Sequence, residues 1–185
     1  MENDQVRTSR FISLVLRHKP EEAGLTLDES GWCNVRDLLS ACVSRGHRIS
    51  RQELDRIVDE NDKKRFEFST GGSRIRAVQG HSVGVNLGYE PQTPPDTLYH
   101  GTATRFLDAI KSKGLIKGSR QHVHLSTLVD AAFKVGARHG KPVVILVDAG
   151  EMHRSGTPFY LTPNGVWLVD SVPAEYLRFD DLRHS

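Results

Sequence analysis

The fold of this chain is constrained most by a break in its pattern between Val83 and Asp96. Apolar residues recur at helical or alternating spacing on both sides of this stretch, whereas the stretch itself has no such period and holds three of the eight prolines. Proline fixes the backbone and removes a hydrogen-bond donor, so an aperiodic proline-rich segment is typical of a linker. The sequence therefore predicts two lobes and a linker, over residues 1–82, 97–185 and 83–96.

The first lobe has the pattern of short helices followed by a hairpin. Apolar residues at helical spacing predict three helices, over residues 9–18, 35–45 and 50–61. Asn34 is a suitable N-cap for the second helix, and Ser50 with Glu53 forms a capping box for the third. Strand-like segments over 66–68 and 75–78 flank two glycines and predict a β-hairpin. This order of elements resembles a winged helix.

The second lobe alternates strand and helix patterns. Strands are predicted over residues 97–100, 122–125, 143–147, 159–161, 166–169 and 176–179, and helices over 105–113 and 128–137. The segment 143–147 is continuously apolar, which is typical of a central buried strand. Together the two lobes predict an α+β fold.

Composition excludes some classes of function. The chain has a net charge of +2, divided equally between the parts before and after Val83, so a broad basic surface for nucleic acid is not expected. However, 11 of the 14 basic residues of the first part are arginine, whose planar fork binds phosphate oxygens in pairs. Local recognition of phosphate therefore remains open.

The location and the cysteines are also predicted from the sequence. No apolar run is long enough to cross a bilayer, and the first ten residues do not resemble a signal sequence, so we expect a soluble cytoplasmic protein. Cys33 and Cys42 are nine positions apart, which is not a metal-binding or redox spacing. We expect both to be reduced structural thiols, and no metal site.

Arginine and histidine occur together near the ends of predicted elements. Arg17 and His18 end the first helix. Arg76 lies in the predicted hairpin and His81 follows it, and Arg138 follows another helix. Three such groups meeting at one place would suit a doubly charged phosphate.

Structural roles are the alternatives for these residues. A basic pair at a helix C-terminus complements the helix dipole, and Arg138 has the same explanation. His18 continues an apolar face formed by Phe11, Leu14 and Val15, so it is expected to point inward and could be a buried core histidine.

Residues on the predicted strands also have structural roles as alternatives. Arg74 and Arg76 alternate with Ile75, so they share one face, where they could reach one ligand together or form an ordinary solvated surface. His124 and Ser126 share a strand face with His122, and this face could be ligand-facing or solvated. The two histidines lack a third metal ligand at convincing spacing.

The sequence resembles the RNA 2'-phosphotransferase family. Six ordered motifs carry the resemblance: Leu-Arg-His at 16–18 followed by Pro20, Gly-Trp at 31–32, Ile-Arg-Ala-Val-Gln-Gly-His-Ser at 75–82, Leu-Tyr-His-Gly-Thr at 98–102, His-Val-His-Leu-Ser at 122–126 and Asn-Gly-Val-Trp at 164–167. They are distributed over almost the whole chain.

The resemblance implies a winged-helix lobe for binding RNA phosphate, and a lobe with the split β-sheet of ADP-ribosyltransferases for binding NAD. It implies that Arg17, His18, Arg76 and Arg138 are catalytic. The implied reaction transfers an internal RNA 2'-phosphate to ADP-ribose through an ADP-ribosylated RNA intermediate. Its products are RNA with a 2'-hydroxyl, nicotinamide and ADP-ribose 1'',2''-cyclic phosphate.

The resemblance also implies binding residues. The NAD contacts fall on Tyr99, His100, Gly101, Thr102, His124 and Ser126. Weaker contacts to the RNA phosphate fall on Arg74, Gln79, His81 and Ser82. The expected partners are therefore NAD and a tRNA-like RNA, with no metal, no membrane and no obligate protein partner.

The chemistry of the implied nucleophile agrees with these residues. A phosphate monoester is already ionised at neutral pH, since its second pKa is about 6, so the first step needs positioning rather than a general base. Val166 would stand where many ADP-ribosyltransferases have a glutamate. The absence of that acid argues against modification of proteins.

Two other functions remain open from the sequence. The chain could be a nucleic-acid-binding regulator whose recognition helix covers residues 50–61, although that helix is rich in acidic residues. It could also transfer ADP-ribose to other phosphorylated ends of nucleic acids.

Overall fold

A computed structural model describes residues 4–60 and 63–179 of the chain. It divides into two compact units, Met1–Gly88 (unit 1) and Tyr89–Ser185 (unit 2), and each unit has its own hydrophobic core. The boundary falls inside the segment 83–96 that the sequence predicts as a linker. Helices and strands are mixed in both units, which agrees with the predicted α+β class.

The described residues of unit 1 form three α-helices, three strands and one 3-10 turn. The helices are α1 (Asp4–Arg17), α2 (Val35–Ser44) and α3 (Arg51–Asp59), the strands are β1 (Cys33–Asn34), β2 (Phe66–Phe68) and β3 (Arg74–Ala77), and the turn is Pro20–Ala23. The strands form an antiparallel sheet in the order β1-β3-β2. The predicted hairpin is therefore confirmed, and β1 is an additional strand that the sequence did not indicate.

The predicted helix starts are confirmed for α2 and α3. The Asn34 side chain accepts a hydrogen bond from the Arg36 amide. Ser50 and Glu53 form both bonds of the capping box. The predicted end of the third helix at Asn61 lies outside the described residues.

The prediction for α1 was partly wrong. The helix begins at Asp4 rather than at residue 9, and Leu14 is 37% exposed. The core side of α1 instead carries Ile12, Val15 and Leu16. Because the buried stripe is rotated away from Leu14, His18 does not continue a buried face; it follows the helix and is half-buried.

Alternation along β3 divides the sheet of unit 1 into two faces. Ile75 and Ala77 are completely buried in the core, whereas Arg74 and Arg76 lie on the opposite, outward face. Ile75 pairs with Cys33, and Arg76 pairs with Glu67. Glu67 therefore also lies on the outward face.

The described residues of unit 2 form three helices and eight strands, with 3-10 turns at Thr104–Phe106 and Ala174–Tyr176. The helices are α4 (Leu107–Lys113), α5 (Val129–Gly136) and α6 (Ala149–Arg154). The strands are β4 (Thr97–Ala103), β5 (Leu115–Ile116), β6 (Val123–Leu125), β7 (Pro142–Asp148), β8 (Tyr160–Leu161), β9 (Trp167–Val169), β10 (Ser171–Val172) and β11 (Leu177–Arg178).

These strands form three antiparallel sheets, in the orders β11-β7-β4, β6-β9-β8 and β10-β5. The prediction of a central strand is confirmed, because β7 lies between β11 and β4 and buries Val144, Ile145 and Val147. The first two sheets meet at an isolated bridge, where Tyr99 and Ser126 exchange backbone hydrogen bonds of 2.8 and 2.9 Å.

Helix α5 packs very closely on β4 because glycines occupy the contact. A Cβ atom at Gly101 would lie 1.7 Å from the carbonyl oxygen of Ala132. A Cβ atom at Gly136 would lie 2.4 Å from the carbonyl oxygen of Thr102. Neither distance is sterically allowed, so this packing requires glycine at both positions.

Both cysteines are free and buried, as expected for structural thiols. Burial raises the pKa of Cys33 to about 12 and that of Cys42 to about 11, so neither thiol is ionised at neutral pH. In the described part of the chain, every helix falls short of the length and hydrophobicity needed to span a membrane.

Candidate functional site

The end of α1 and the segment after β3 form one cluster in unit 1. The carbonyl oxygen of Arg17 accepts a hydrogen bond of 2.9 Å from the Ser82 amide, and the Ser82 hydroxyl lies 2.9 Å from Nδ1 of His18. Gly80 has a φ of 86°, and a Cβ atom there would lie 3.6 Å from Nη1 of Arg17. The fold thus brings Arg17 and His18 together with the predicted phosphate-contact segment, which begins at Gln79.

His81 is the most deeply buried group of this cluster. It is 2% exposed, and neither ring nitrogen has a hydrogen-bond partner among the described residues. Burial, together with the positive charges of Arg17, His18 and Arg76, lowers the pKa of His81 to about 4. A neutral imidazole with two unused nitrogens can hydrogen-bond a ligand or an ordered water.

The depressed pKa of His81 predicts a pH-dependent stability. Its ordinary value is 6.5, so between about pH 4 and 6.5 the unfolded chain binds more protons than the folded chain. The contribution of neutral His81 is fully present above pH 6.5 and is lost as the pH falls towards 4. The shift corresponds to a loss of about 3 kcal/mol in the free energy of unfolding.

Urea denaturation of the wild type and of His81→Gln at pH 7 and pH 4.5 tests this expectation. Glutamine does not titrate, so the variant should lose less stability than the wild type on acidification. An equal loss in both proteins would show that His81 is not held neutral by the fold.

Arg76 is firmly held on the outward face of the sheet. Its Nε donates to Glu67 at 2.6 Å, and its Nη1 donates to the carbonyl oxygens of Ser30 at 3.1 Å and Leu87 at 3.2 Å. The guanidinium carbon lies 4.5 Å from the centre of the Trp32 ring, and the side chain is only 12% exposed. This geometry is rigid before any ligand binds.

Arg74 lies beside Arg76 but is far more accessible. Its side chain is 52% exposed, its Nη1 donates to Asp28 at 3.1 Å, and its guanidinium carbon lies 5.5 Å from the centre of the Trp32 ring. The two arginines therefore share a face, as alternation predicts, and both contact the same tryptophan.

Sequence reasoning did not identify Glu67 as a partner of Arg76. The signal was present, because Glu67 and Arg76 are equally far from the midpoint of Gly71-Gly72, where the hairpin turns. A hairpin centred there pairs these two residues. Trp32 was noticed only as part of a motif, since the short strand β1 that positions it was not predicted.

In unit 2, the predicted NAD contacts collect where β4 meets β6. Nδ1 of His100 lies 3.1 Å from the carbonyl oxygen of His124, and Tyr99 is bridged to Ser126. Gly101 and Thr102 are buried farther along β4. Burial lowers the pKa of His100, so this histidine is neutral at physiological pH.

Arg138 lies two residues beyond the end of α5, and its amide donates to the carbonyl oxygen of Val135 at 3.2 Å. The residue is exposed, and its guanidinium forms no ion pair or hydrogen bond with other described residues. It is therefore free to bind an anion.

Two other expectations concern Val166, at the position where many ADP-ribosyltransferases have a glutamate, and a metal site. Val166 lies one residue before β9, where its amide donates to the Thr162 hydroxyl at 2.9 Å. Within residues 4–60 and 63–179, histidine, cysteine, aspartate and glutamate side chains form no group of three that could hold a metal ion.

Known proteins resemble the chain over nearly its whole length. The model of the family described as RNA 2'-phosphotransferase, Tpt1 / KptA family, matches residues 3–171. A probable RNA 2'-phosphotransferase of Agrobacterium fabrum is 55% identical over 170 residues, which cover 92% of this chain and 91% of that protein. Proteins with the same description from Flavobacterium johnsoniae and Pseudomonas aeruginosa are 48% and 50% identical, and the matches cover 96% and 92% of this chain and 98% and 94% of those proteins.

Proposed function

Because the chain belongs to the RNA 2'-phosphotransferase, Tpt1 / KptA family, we propose that it uses NAD to remove an internal 2'-phosphate from RNA. The chain is thus a transferase whose substrate is RNA. The observation that carries the proposal is the cluster at the end of α1, where Arg17, His18, His81 and Ser82 meet. An arginine, two imidazoles and a hydroxyl are groups that bind phosphate oxygens and ribose hydroxyls.

The groups at the junction of β4 and β6 fit NAD. This junction contains hydrogen-bonding groups that carry no formal charge when the histidines are neutral. They are the imidazoles of His100 and His124 and the hydroxyls of Thr102 and Ser126. Such groups suit the ribose hydroxyls and the carboxamide of a nicotinamide riboside. Bound NAD would supply an electrophilic ribose carbon, to which the RNA 2'-phosphate would bond as nicotinamide leaves. In the second step, the adjacent ribose hydroxyl would attack the phosphorus and release RNA with a 2'-hydroxyl, and the other product would be ADP-ribose 1'',2''-cyclic phosphate.

The residues of this chain have separate tasks in the proposed reaction. Arg17 and Arg76 hold the RNA 2'-phosphate, which needs no general base because it is already ionised at neutral pH. Ser82 contacts Nδ1 of the His18 ring and orients it, and His18 contacts a ribose hydroxyl or moves its proton. Arg138 stabilises the charge that spreads over the phosphate oxygens in the second step.

The same proposal includes the architecture of the two units. Unit 1 has three helices followed by a hairpin, as in a winged helix, and would bind the RNA phosphate. Unit 2 has several short antiparallel sheets, in keeping with the split sheet of an ADP-ribosyltransferase, and would bind NAD.

The test is to incubate the chain with NAD and an RNA that carries one internal 2'-phosphate. We expect loss of the phosphate over multiple turnovers, with one nicotinamide and one ADP-ribose 1'',2''-cyclic phosphate for each phosphate removed. Matched controls are the same RNA without NAD and the same RNA without the 2'-phosphate.

Two results would contradict the proposal. RNA that stays unchanged with NAD present would favour a nucleic-acid-binding regulator. A stable ADP-ribosylated RNA as the final product would favour a transferase that modifies phosphorylated nucleic acids without removing the phosphate.

A further inference from the structure

The outward face of the sheet in unit 1 combines an aromatic ring with two arginines. Trp32 directly precedes β1 and lies on the side opposite Cys33, which pairs with Ile75 in the core. The guanidinium carbons of Arg74 and Arg76 lie 5.5 and 4.5 Å from the centre of its ring. Aromatic rings and guanidinium planes on a sheet are surfaces against which nucleotides pack.

This face also forms a shallow pocket of about 440 Å³. It is lined by Trp32, Arg74, Arg76, Phe68 and the carboxylate of Glu67, which is paired with Arg76, and by Ser69, Thr70, Gly71 and Ser73 of the polar hairpin turn. The turn exposes the side chains of Thr70 and Ser73, which can hydrogen-bond a sugar or a phosphate.

The two arginines differ in how they can act in this pocket. Arg76 has Nε and Nη1 occupied by Glu67 and two carbonyl oxygens. Arg74 uses only Nη1, and its Nε and Nη2 have no partner among the described residues. Its ion pair with Asp28 is about half exposed on both sides, so it is weak and does not prevent Arg74 from binding an anion.

We propose that this outward face binds the RNA strand beside the 2'-phosphorylated nucleotide. Arg74 contacts a backbone phosphate of that strand, and the sugar and base of the same nucleotide pack against Trp32. The inference rests on the proposed function, since it assigns Arg76 to the 2'-phosphate and Arg74 to the neighbouring backbone. It makes Arg74 a residue for substrate binding, outside the chemical steps.

Kinetics with two substrates test this assignment. One substrate is a ten-nucleotide RNA with an internal 2'-phosphate, and the other is a nucleoside 2'-phosphate, which has no neighbouring nucleotide and no backbone phosphate. For Arg74→Ala we expect the KM of the longer RNA to rise about tenfold, as for the loss of one charged hydrogen bond, with kcat unchanged. The KM of the nucleoside 2'-phosphate should not change.

Salt dependence distinguishes a phosphate contact from a structural effect. Removal of one phosphate contact should decrease the slope of log KM against log salt by about 0.7 for single-stranded RNA. Arg74→Lys should restore this slope, because it keeps the charge. Arg48→Ala, which removes an exposed arginine between α2 and α3, is the matched control and should behave like the wild type.

Binding without NAD separates this inference from the proposed function. A ten-nucleotide RNA that lacks the 2'-phosphate should quench the tryptophan fluorescence of the full chain, and Trp32→Phe should abolish the quenching, since Trp167 is buried. Quenching without NAD-dependent turnover would support the RNA face and contradict the proposed function. Normal turnover in Arg74→Ala with unchanged KM and salt slope for the longer RNA would overturn the inference.

Discussion

An Arg138→Ala variant is expected to remove the RNA 2'-phosphate about 100- to 1,000-fold more slowly and to accumulate ADP-ribosylated RNA. Loss of one preorganised donor to developing charge costs about 2.7–4 kcal/mol of barrier. Because the first step begins from a phosphate that is already ionised, we expect the larger loss in the second step. The measurement is a single-turnover time course that resolves the substrate RNA, the adduct and the product.

The exposed position of Arg138 makes this variant informative. Its guanidinium has no ion pair among the described residues, so its removal should leave the stability of unit 2 nearly unchanged. Arg105→Ala removes another exposed arginine of the same unit, which lies 4.7 Å from the Phe106 ring, and should keep full activity. If Arg138→Ala also keeps full activity, Arg138 has no part in the reaction.

A Gly101→Ala variant is expected to destabilise unit 2 by about 3 kcal/mol or more. The added methyl group would lie 1.7 Å from a carbonyl oxygen of α5, so the helix would have to move away from β4. Overpacking a core with a methylene typically costs 1–3 kcal/mol, and here the obstacle is backbone rather than a movable side chain. Thermal or urea denaturation of the two proteins measures the difference.

Gly118→Ala is the matched control, because a Cβ atom there would meet nothing within 4 Å. Its effect on stability should stay within about 0.5 kcal/mol. A Gly101→Ala variant with wild-type stability would show that α5 can retreat from β4 at little cost. In a variant that folds with α5 displaced, Arg138 would be displaced too, because it follows that helix directly.

Elements with a strong local signal could be predicted from the sequence. Asn34 and the Ser50–Glu53 capping box gave the starts of α2 and α3, since a helix start depends on side chains next to it in sequence. The apolar run over 143–147 indicated a central strand, because a strand covered on both faces is typically continuously apolar.

Some short elements could not be predicted, because tertiary pairing rather than local pattern creates them. Strands β1, β5 and β10 have two residues each, which is too short for a period. Strands β8 and β11 are equally short but were predicted, because they lie in the longer strand-like segments 159–161 and 176–179. Helix α6 has six residues and a mixed composition. The start of α1 was missed because most of its first residues are polar and its one apolar residue there, Val6, is exposed.

For the candidate site, the sequence indicated which residues matter and left their contacts open. Arg17, His18 and Ser82 were all identified, but 64 residues separate His18 from Ser82, and only the fold shows their hydrogen bond. The deep burial of His81 could not be predicted either, since its sequence neighbours are glycine and serine. Burial of a polar residue depends on packing from distant segments.

The fixed guanidinium of Arg76 has a consequence for affinity and for substitution. A free arginine side chain has about 2 kcal/mol of conformational entropy, and three acceptors have already removed much of it here before RNA arrives. A lysine could not reproduce this arrangement, because its single ammonium cannot replace a planar fork that reaches acceptors from two nitrogens. A substitution that keeps only the positive charge would therefore not keep the side chain at this position ordered.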